Sequence, residues 1–338
     1  MNPKNTLLST KLQPPQLPGD YLSRPRLLAQ LDRGLSGGLI LISAPAGYGK
    51  TTLAADWLHY MSLAGGQRSA LPWAWVSLDE SDNDLYVFLR YAITAVQAAF
   101  RQESLCTATE SMLNAAQLPP LEAITHAFIN DLNALPDQLL LALDDYHLIT
   151  CPKVQQLMDR LVHFLPAGLR LVLITRMDPP LPLLYRRRAQ ARLLEIRTAD
   201  LRFTPAEAYA VLQGTTNTAV TLETAVALDE ETEGWIIGLQ MASLTLRDQA
   251  DPAAFARTLR QRGRRLAMDF LLDEVLIRQP RPLLEFLLQT SILERFCAPL
   301  CTAVFHTSEQ SGQHAPDYLD RLARTNLFLV SLDEQKVW

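Results

Sequence analysis

Residues 43–52 combine glycines, a lysine and two threonines in the order Ser-Ala-Pro-Ala-Gly-Tyr-Gly-Lys-Thr-Thr. Glycine lets the backbone turn its N–H groups toward an anion, in conformations that a β-carbon resists. The Lys50 side chain supplies a cation for phosphate oxygens, and the Thr51 hydroxyl is a ligand for Mg²⁺. The pattern is that of a phosphate-binding loop, although Ala44 stands where the general pattern has a leading glycine. It predicts that the chain binds a nucleoside triphosphate.

Such a loop must follow a buried strand and precede a helix. Both neighbours are present, because Leu39–Ile42 is an apolar run of strand length and residues 51–63 have helical spacing. A helix that begins at Thr51 directs its positive end at the phosphates. We expect nucleotide contacts from Ala46, Gly47, Tyr48, Gly49, Lys50, Thr51 and Thr52, with Lys50 also acting in catalysis.

A second buried run, Leu139–Leu143, ends in the acids Asp144 and Asp145. An ATPase with a phosphate-binding loop needs an acid at a strand end to hold Mg²⁺ and to orient water. We expect Asp144 to bind Mg²⁺, partly through water, together with Thr51. Asp145 is the candidate for polarising the attacking water. For His147, a hydrogen bond within the loop fits as well as a catalytic role.

The next buried run, Leu169–Thr175, is followed by Arg176. Parallel strands end at the same edge of a sheet, so this arginine is expected beside the acidic pair, where it can sense the γ-phosphate. An arginine in solvent at the rim of the sheet explains the same position equally well. Both interpretations stay open at the level of sequence.

Five apolar strand runs, including 73–77 and a weaker one at 193–196, alternate with helical stretches over the first 200 residues. This alternation predicts an α/β fold, a P-loop NTPase parallel sheet with helices on both faces. Beyond residue 200, helical patterns follow one another, among them 255–261 and 266–278, and the next apolar strand run is Leu327–Val330. We predict a nucleotide-binding domain over 1–200, a helical domain over 201–280 and a further domain over 281–338.

The composition is that of a globular chain, with 48% hydrophobic and 20% charged residues. Lys and Arg number 31 against 36 Asp and Glu, and the net charge of −5 argues against DNA binding over the whole surface. The arginines at 186–188 and at 257, 260 and 264 indicate solvated or intramolecular faces in preference to a DNA contact.

Since no apolar run approaches the ~20 residues of a membrane span, a cytoplasmic protein without membrane contact is expected.

Several motifs resemble the MalT-like branch of LuxR-type, ATP-dependent transcriptional regulators, which are STAND-class ATPases related to the AAA+ ATPases. The main ones are the loop at 44–52, Trp-Val-Ser-Leu-Asp-Glu-Ser-Asp-Asn-Asp at 75–84 and Leu-Asp-Asp-Tyr-His at 143–147. Further matches lie at 10–12, 23–28, 201–204, 233–239, 326–329 and 332–334. The matches span nearly the whole chain in the family's order, and Ala44 agrees with the family's version of the loop.

This resemblance implies a winged-helix domain at 281–338, Arg24 near the nucleotide and Arg176 as the sensor arginine. It implies a slow ATPase that switches between an ADP-bound resting state and an ATP-bound oligomerising state, with Mg²⁺ as cofactor. Family members continue into a sensor domain and a C-terminal DNA-binding domain, so we expect an N-terminal portion of a longer regulator. Its partners would be those further domains and other copies of itself, with no direct DNA contact from this segment.

Two other functions compete with the switch. A metabolic or motor P-loop NTPase would turn over rapidly on a second substrate or on nucleic acid, and the sequence shows no motif for either. A nucleotide-binding scaffold would not hydrolyse ATP, and the presence of Asp144 and Asp145 argues mildly against that.

Overall fold

The computed structural model describes residues 7–19, 21–63, 71–215, 220–246, 279–293, 297–305 and 315–324. The chain divides into two compact units, one of Met1–Ser43 with Gly49–Leu201 and one of Ala44–Tyr48 with Arg202–Trp338. The helices predicted at 255–261 and 266–278, the arginines at 257, 260 and 264, and the strand predicted at 327–330 lie outside the described residues. The three domain boundaries stay a prediction.

Five parallel strands form the sheet of the first unit. They are β1 (Leu39–Ser43), β2 (Trp73–Ser77), β3 (Leu139–Asp144), β4 (Leu169–Thr175) and β5 (Leu193–Arg197). Their order across the sheet is β2-β3-β4-β1-β5. Every residue of β1 and β3 is buried, which explains why their sequences are almost entirely apolar. The segments that follow β1, β4 and β3 therefore emerge side by side at the carboxyl edge of the sheet.

Helices cover both faces of this sheet. They are α1 (Pro25–Gly34), α2 (Lys50–Leu63), α3 (Leu85–Phe100), α4 (Thr107–Leu113), α5 (Leu121–Asn133), α6 (Pro152–His163), α7 (Leu183–Ala189) and α8 (Thr198–Leu201). On one face, Leu41 and Leu141 share a core with α3, α5 and α6. The next residue of β1, Ile40, points the other way, and a Cβ added to Gly34 of α1 would lie 3.0 Å from it. The predicted fold class is confirmed for this part of the chain.

The described part of the second unit is helical from Arg202 onward. Its helices are α9 (Pro205–Thr215), α10 (Leu222–Thr232), α11 (Ile236–Leu246), α12 (Arg281–Thr290), α13 (Ala298–Val304) and α14 (Ala315–Arg324). α9, α10 and α11 pack together and bury Leu212, Leu228 and Leu239. The last three helices pack around Phe286, whose ring stacks on Tyr318 with centroids 5.1 Å apart.

None of the helices in the described ranges is long and apolar enough to cross a membrane.

Candidate functional site

The predicted phosphate-binding loop leaves the carboxyl end of β1, and α2 begins at Lys50. Gly47 and Gly49 both have positive φ, +79° and +71°, a region that a side chain disfavours. The first helical hydrogen bond runs from the Leu53 N–H to the Gly49 carbonyl at 2.8 Å. The local backbone therefore has the strand, turn and helix start that the sequence pattern requires.

Lys50 is buried, with 7% of its surface exposed. Burial, together with the nearby positive charge of Arg176, lowers the pKa of its ammonium group to about 8. The negative charges of Asp145 and Asp144 act in the opposite direction. Four residues that the sequence predicted from three separate segments thus interact within one site. A buried cation beside two acids and an arginine is the kind of charge cluster that marks functional sites.

Asp144, the last residue of β3, is 3% exposed. Its Oδ1 accepts a hydrogen bond from the Thr51 hydroxyl at 3.1 Å and another from the Asp145 N–H at 2.9 Å. Burial, reinforced by the charge of Asp145, raises the pKa of Asp144 to about 7, although the two hydrogen bonds and Lys50 favour the ionised form. The two predicted Mg²⁺ ligands therefore lie in direct contact.

Asp145 adopts a left-handed backbone conformation, with φ +53° and ψ +36°. For a residue other than glycine this region is uncommon, and it is found at functional sites. The Asp145 side chain is 42% exposed and lies 3.8 Å from Nδ1 of His147. One acid of the pair is therefore enclosed and the other can meet water, and the separate roles expected of them stay predictions.

Asn83 holds the segment that follows these acids, a function that the sequence patterns did not reveal. Its Nδ2 donates to the Leu148 carbonyl at 2.9 Å, and its Oδ1 accepts from the N–H groups of Thr150 and Cys151 at 2.7 and 2.8 Å. The Asn83 side chain thus forms hydrogen bonds at both ends of the turn that connects β3 to α6. The only sequence signal was the position of Asn83 within the motif at 75–84.

The short helical turn that carries Asn83, Glu80–Asn83, is itself anchored at the edge of the unit. Lys11 Nζ lies 2.5 Å from Asp82 Oδ2 and 3.0 Å from Asp79 Oδ2. Asp82 is fully buried, and Asp79 and Asp82 cap each other's backbone N–H groups across the turn. The N-terminal segment thereby fixes the turn from which Asn83 reaches the acidic loop.

Arg24, predicted near the nucleotide, lies just before α1 and is 3% exposed. Its Nη1 donates to the Leu201 carbonyl at 2.9 Å, at the end of the first unit. Arg26 makes a similar bond to the Asp200 carbonyl at 2.8 Å. These bonds tie the start of α1 to the end of α8, and a contact of Arg24 with nucleotide stays a prediction.

The tip of the loop, Ala44–Tyr48, belongs to the second unit and contacts Trp235 and Ile237 at the start of α11. Trp235 Nε1 lies 3.3 Å from the Ala46 carbonyl and donates to it. A Cβ on Gly47 would come within 2.7 Å of Trp235 Nε1 and of Ile237 Cγ1. Gly47 is therefore required by this close approach as well as by its backbone angle. The indole contact was not predicted, although Trp235 stood in one of the family-like motifs.

Mg²⁺ takes six oxygen ligands and usually keeps several waters. Thr51 and Asp144 provide two adjacent protein oxygens at the start of α2. In the described ranges, no three His, Cys, Asp or Glu side chains come together as a metal site. A Mg²⁺ ion here would complete its shell with water and phosphate oxygens, as is usual for nucleotide-bound Mg²⁺, so the residues present fit the ion.

Known proteins resemble this chain along almost all of its length. It is 32% identical over 339 residues to the HTH-type transcriptional regulators MalT of Serratia proteamaculans and Cronobacter sakazakii, covering 98% of this chain and 35% of each regulator. This chain therefore spans about a third of the length of these relatives. The structure of the Aeropyrum pernix Orc1 protein in complex with DNA matches with a TM-score of 0.47 and 15% identity, over 90% of this chain and 84% of that one.

The winged helix domain of MalT matches residues 272–338. The match includes α12, α13 and α14, and it agrees with the winged helix expected in this part of the chain. Together with the relatives, it confirms the resemblance that the motifs indicated: over 98% of its length this chain is homologous to MalT-type transcriptional regulators.

Proposed function

We propose that this chain is the ATP-binding and slowly hydrolysing switch module of a signal-responsive transcriptional activator. The observation that carries the proposal is the hydrogen bond between Thr51 of the loop helix and Asp144 of β3. This bond joins the start of the helix after the phosphate-binding loop to the end of β3, where the predicted Mg²⁺ ligand Asp144 lies. The relatives are HTH-type transcriptional regulators by name, which supports a role in transcription. The helical domain at 201–280, the winged helix at 281–338 and a cytoplasmic location belong to the same proposal.

In this proposal the loop N–H groups and Lys50 hold the β- and γ-phosphates, and Arg176 contacts the γ-phosphate. Mg²⁺, when bound, neutralises charge on the phosphate oxygens. Asp144 and Thr51 orient that ion, and Asp144 acts in its ionised form. Asp145 accepts a hydrogen bond from the attacking water and directs it toward the γ-phosphorus. The half-exposed position of Asp145 supports that role, because the water must enter from solvent.

The switch depends on contacts that exist only while the γ-phosphate is present. Lys50 and Arg176 repel each other, and this repulsion contributes to the lowered pKa of Lys50. A γ-phosphate between them offsets the repulsion, so ATP and ADP would favour different conformations. We propose that the ATP state oligomerises and that the ADP state rests. Slow turnover follows, because a switch needs states that persist.

The decisive variant is Lys50→Ala, compared with Lys153→Ala as a charge-matched control on the exposed start of α6. Lys50 is expected to account for about a hundredfold of ATP affinity, since it makes charge-assisted bonds in a desolvated site. Binding is measured by calorimetry with Mg²⁺-ATP. An affinity of Lys50→Ala equal to that of the control would contradict nucleotide binding by this loop. Fast, DNA-stimulated turnover in the unaltered chain would contradict the switch and favour a motor or metabolic NTPase.

A further inference from the structure

An open cavity of about 200 Å³ lies at the amino edge of the sheet, among the described residues of the first unit. It is lined by His163, Arg186, Arg187, Gln190 and Arg192. His163 ends α6, two of the arginines belong to α7, and Arg192 directly precedes β5. Three guanidinium groups thus converge on one concavity, and its lining contains no carboxylate among the described residues.

This cavity is separate from the phosphate-binding loop. Arg192 precedes β5 and Gly37 precedes β1, and a Cβ on Gly37 would lie 3.2 Å from the Arg192 carbonyl. β1 and β5 are parallel, with Leu39 beside Leu193. The loop begins after Ser43, at the opposite end of a five-residue strand. At about 3.3 Å per residue the two sites are therefore roughly 15 Å apart.

The three consecutive arginines of α7 have different surroundings. Arg188 pairs with both oxygens of Glu195, at 2.9 and 2.6 Å, and is thereby neutralised. Arg187 Nη2 donates to the Val162 carbonyl at 2.6 Å, at the end of α6. Arg186 faces the cavity, and neither it nor Arg192 forms an ion pair with another described residue. The positive charge of this surface is thus concentrated in the cavity.

Like charges that converge without a counter-ion repel one another, and an anion relieves that repulsion. Burial lowers the pKa of Arg187, and the charges of Arg192 and Arg186 lower it further. Guanidinium groups bind phosphate oxygens in a bidentate manner.

We propose that this cavity binds the diphosphate group of a small molecule, at a second site distinct from the nucleotide loop. Two guanidinium groups, those of Arg186 and Arg192, would each contact one phosphate, and Arg187 would be held in place by α6. A small molecule is favoured over a nucleic acid backbone, because neutralisation of Arg188 by Glu195 interrupts any extended basic track. This inference does not depend on the proposed ATPase switch.

The test measures inorganic pyrophosphate binding by calorimetry in the Lys50→Ala background, which weakens the loop site. The double variant Arg186→Ser/Arg192→Ser is compared with Arg170→Ser, whose side chain bonds to the Ala167 carbonyl outside the cavity. We expect the double variant to lose at least tenfold in affinity and the control to stay within twofold. Thermal unfolding of each variant verifies that the fold is retained.

Equal pyrophosphate affinity in the double variant and the control would overturn the proposal. A duplex DNA of unrelated sequence serves as the second probe. If the cavity arginines support DNA binding while pyrophosphate does not bind at all, the site is a nucleic acid surface and the small-molecule assignment is wrong. Neither outcome bears on the nucleotide loop, whose own test is ATP affinity in Lys50→Ala.

Discussion

The two edges of the sheet hold their charges in opposite ways. At the carboxyl edge, Lys50 and Asp144 are almost fully enclosed and have opposite signs. At the amino edge, Arg186 and Arg192 are exposed and have the same sign. Burial moves the pKa values of Lys50 and Asp144 toward 7, whereas solvent and salt screen the charges of Arg186 and Arg192. In the two proposals, phosphates would therefore meet different environments at opposite ends of the same strands, one desolvated and one screened.

The largest effect is expected at the carboxyl edge, from Asp145→Asn. If Asp145 polarises the attacking water, its loss should slow single-turnover ATP hydrolysis by about 10²- to 10⁴-fold, the usual range for general-base catalysis. ATP affinity should stay within about threefold, because Asp145 makes no phosphate contact in the proposal. An unchanged rate would contradict the role proposed for Asp145.

The enclosed acid should also destabilise the ligand-free protein as the pH rises. The folded-state pKa of Asp144 is about 7, against an ordinary value of 3.8, so its ionisation costs stability in the folded state. Relative to wild type, Asp144→Asn should therefore gain stability between about pH 4 and 7, level off above pH 7 and show no gain below pH 4. At pH 8 the expected gain is on the order of a few kcal/mol. Chemical denaturation of both proteins across this pH range measures it, and a gain independent of pH would contradict the assignment.

A smaller effect is expected from Asn83→Ala, which removes the amide that holds the turn after Asp145. Hydrolysis should fall by roughly tenfold with ATP affinity retained, because a small misplacement of a catalytic group costs rate. Hydrogen exchange of the Thr150 and Cys151 amides should accelerate. Asn114→Ala, at an exposed helix end, is the control. Faster exchange with an unchanged rate would make Asn83 a purely structural residue.

The smallest effect is expected at the amino edge, from Arg188→Ala. Its pair with Glu195 is partly exposed, so unfolding free energy should fall by less than about 1 kcal/mol. Pyrophosphate affinity should change by less than about twofold, in contrast to the cavity arginines. A tenfold loss would mean that the arginines of α7 act as one surface, and the distinction between neutralised and unneutralised arginines would be wrong.

Sequence patterns predicted the strands closely, because parallel strands buried on both faces are short, uninterrupted apolar runs. The predicted runs 73–77 and 169–175 coincide with β2 and β4. The pattern missed α7 and α4, since seven-residue helices show too few periods to be recognised. The arginines at 186–188 were interpreted as one solvated or intramolecular face. In the structure Arg188 is neutralised by Glu195, whereas Arg186 and Arg187 line the cavity and Arg187 also bonds to the end of α6.

By itself, the sequence determined the order of chemical groups along the chain, a glycine-rich loop with Lys50, then Asp144 and Asp145, then Arg176. It did so because each group directly precedes or follows a buried apolar strand, whose composition is dictated by burial. The sequence did not reveal that the charge of Arg176 acts on Lys50, or that Asn83 holds the turn after the acids, because these contacts arise only when the chain folds. These relations join residues far apart in sequence, and local patterns carry no information about such contacts.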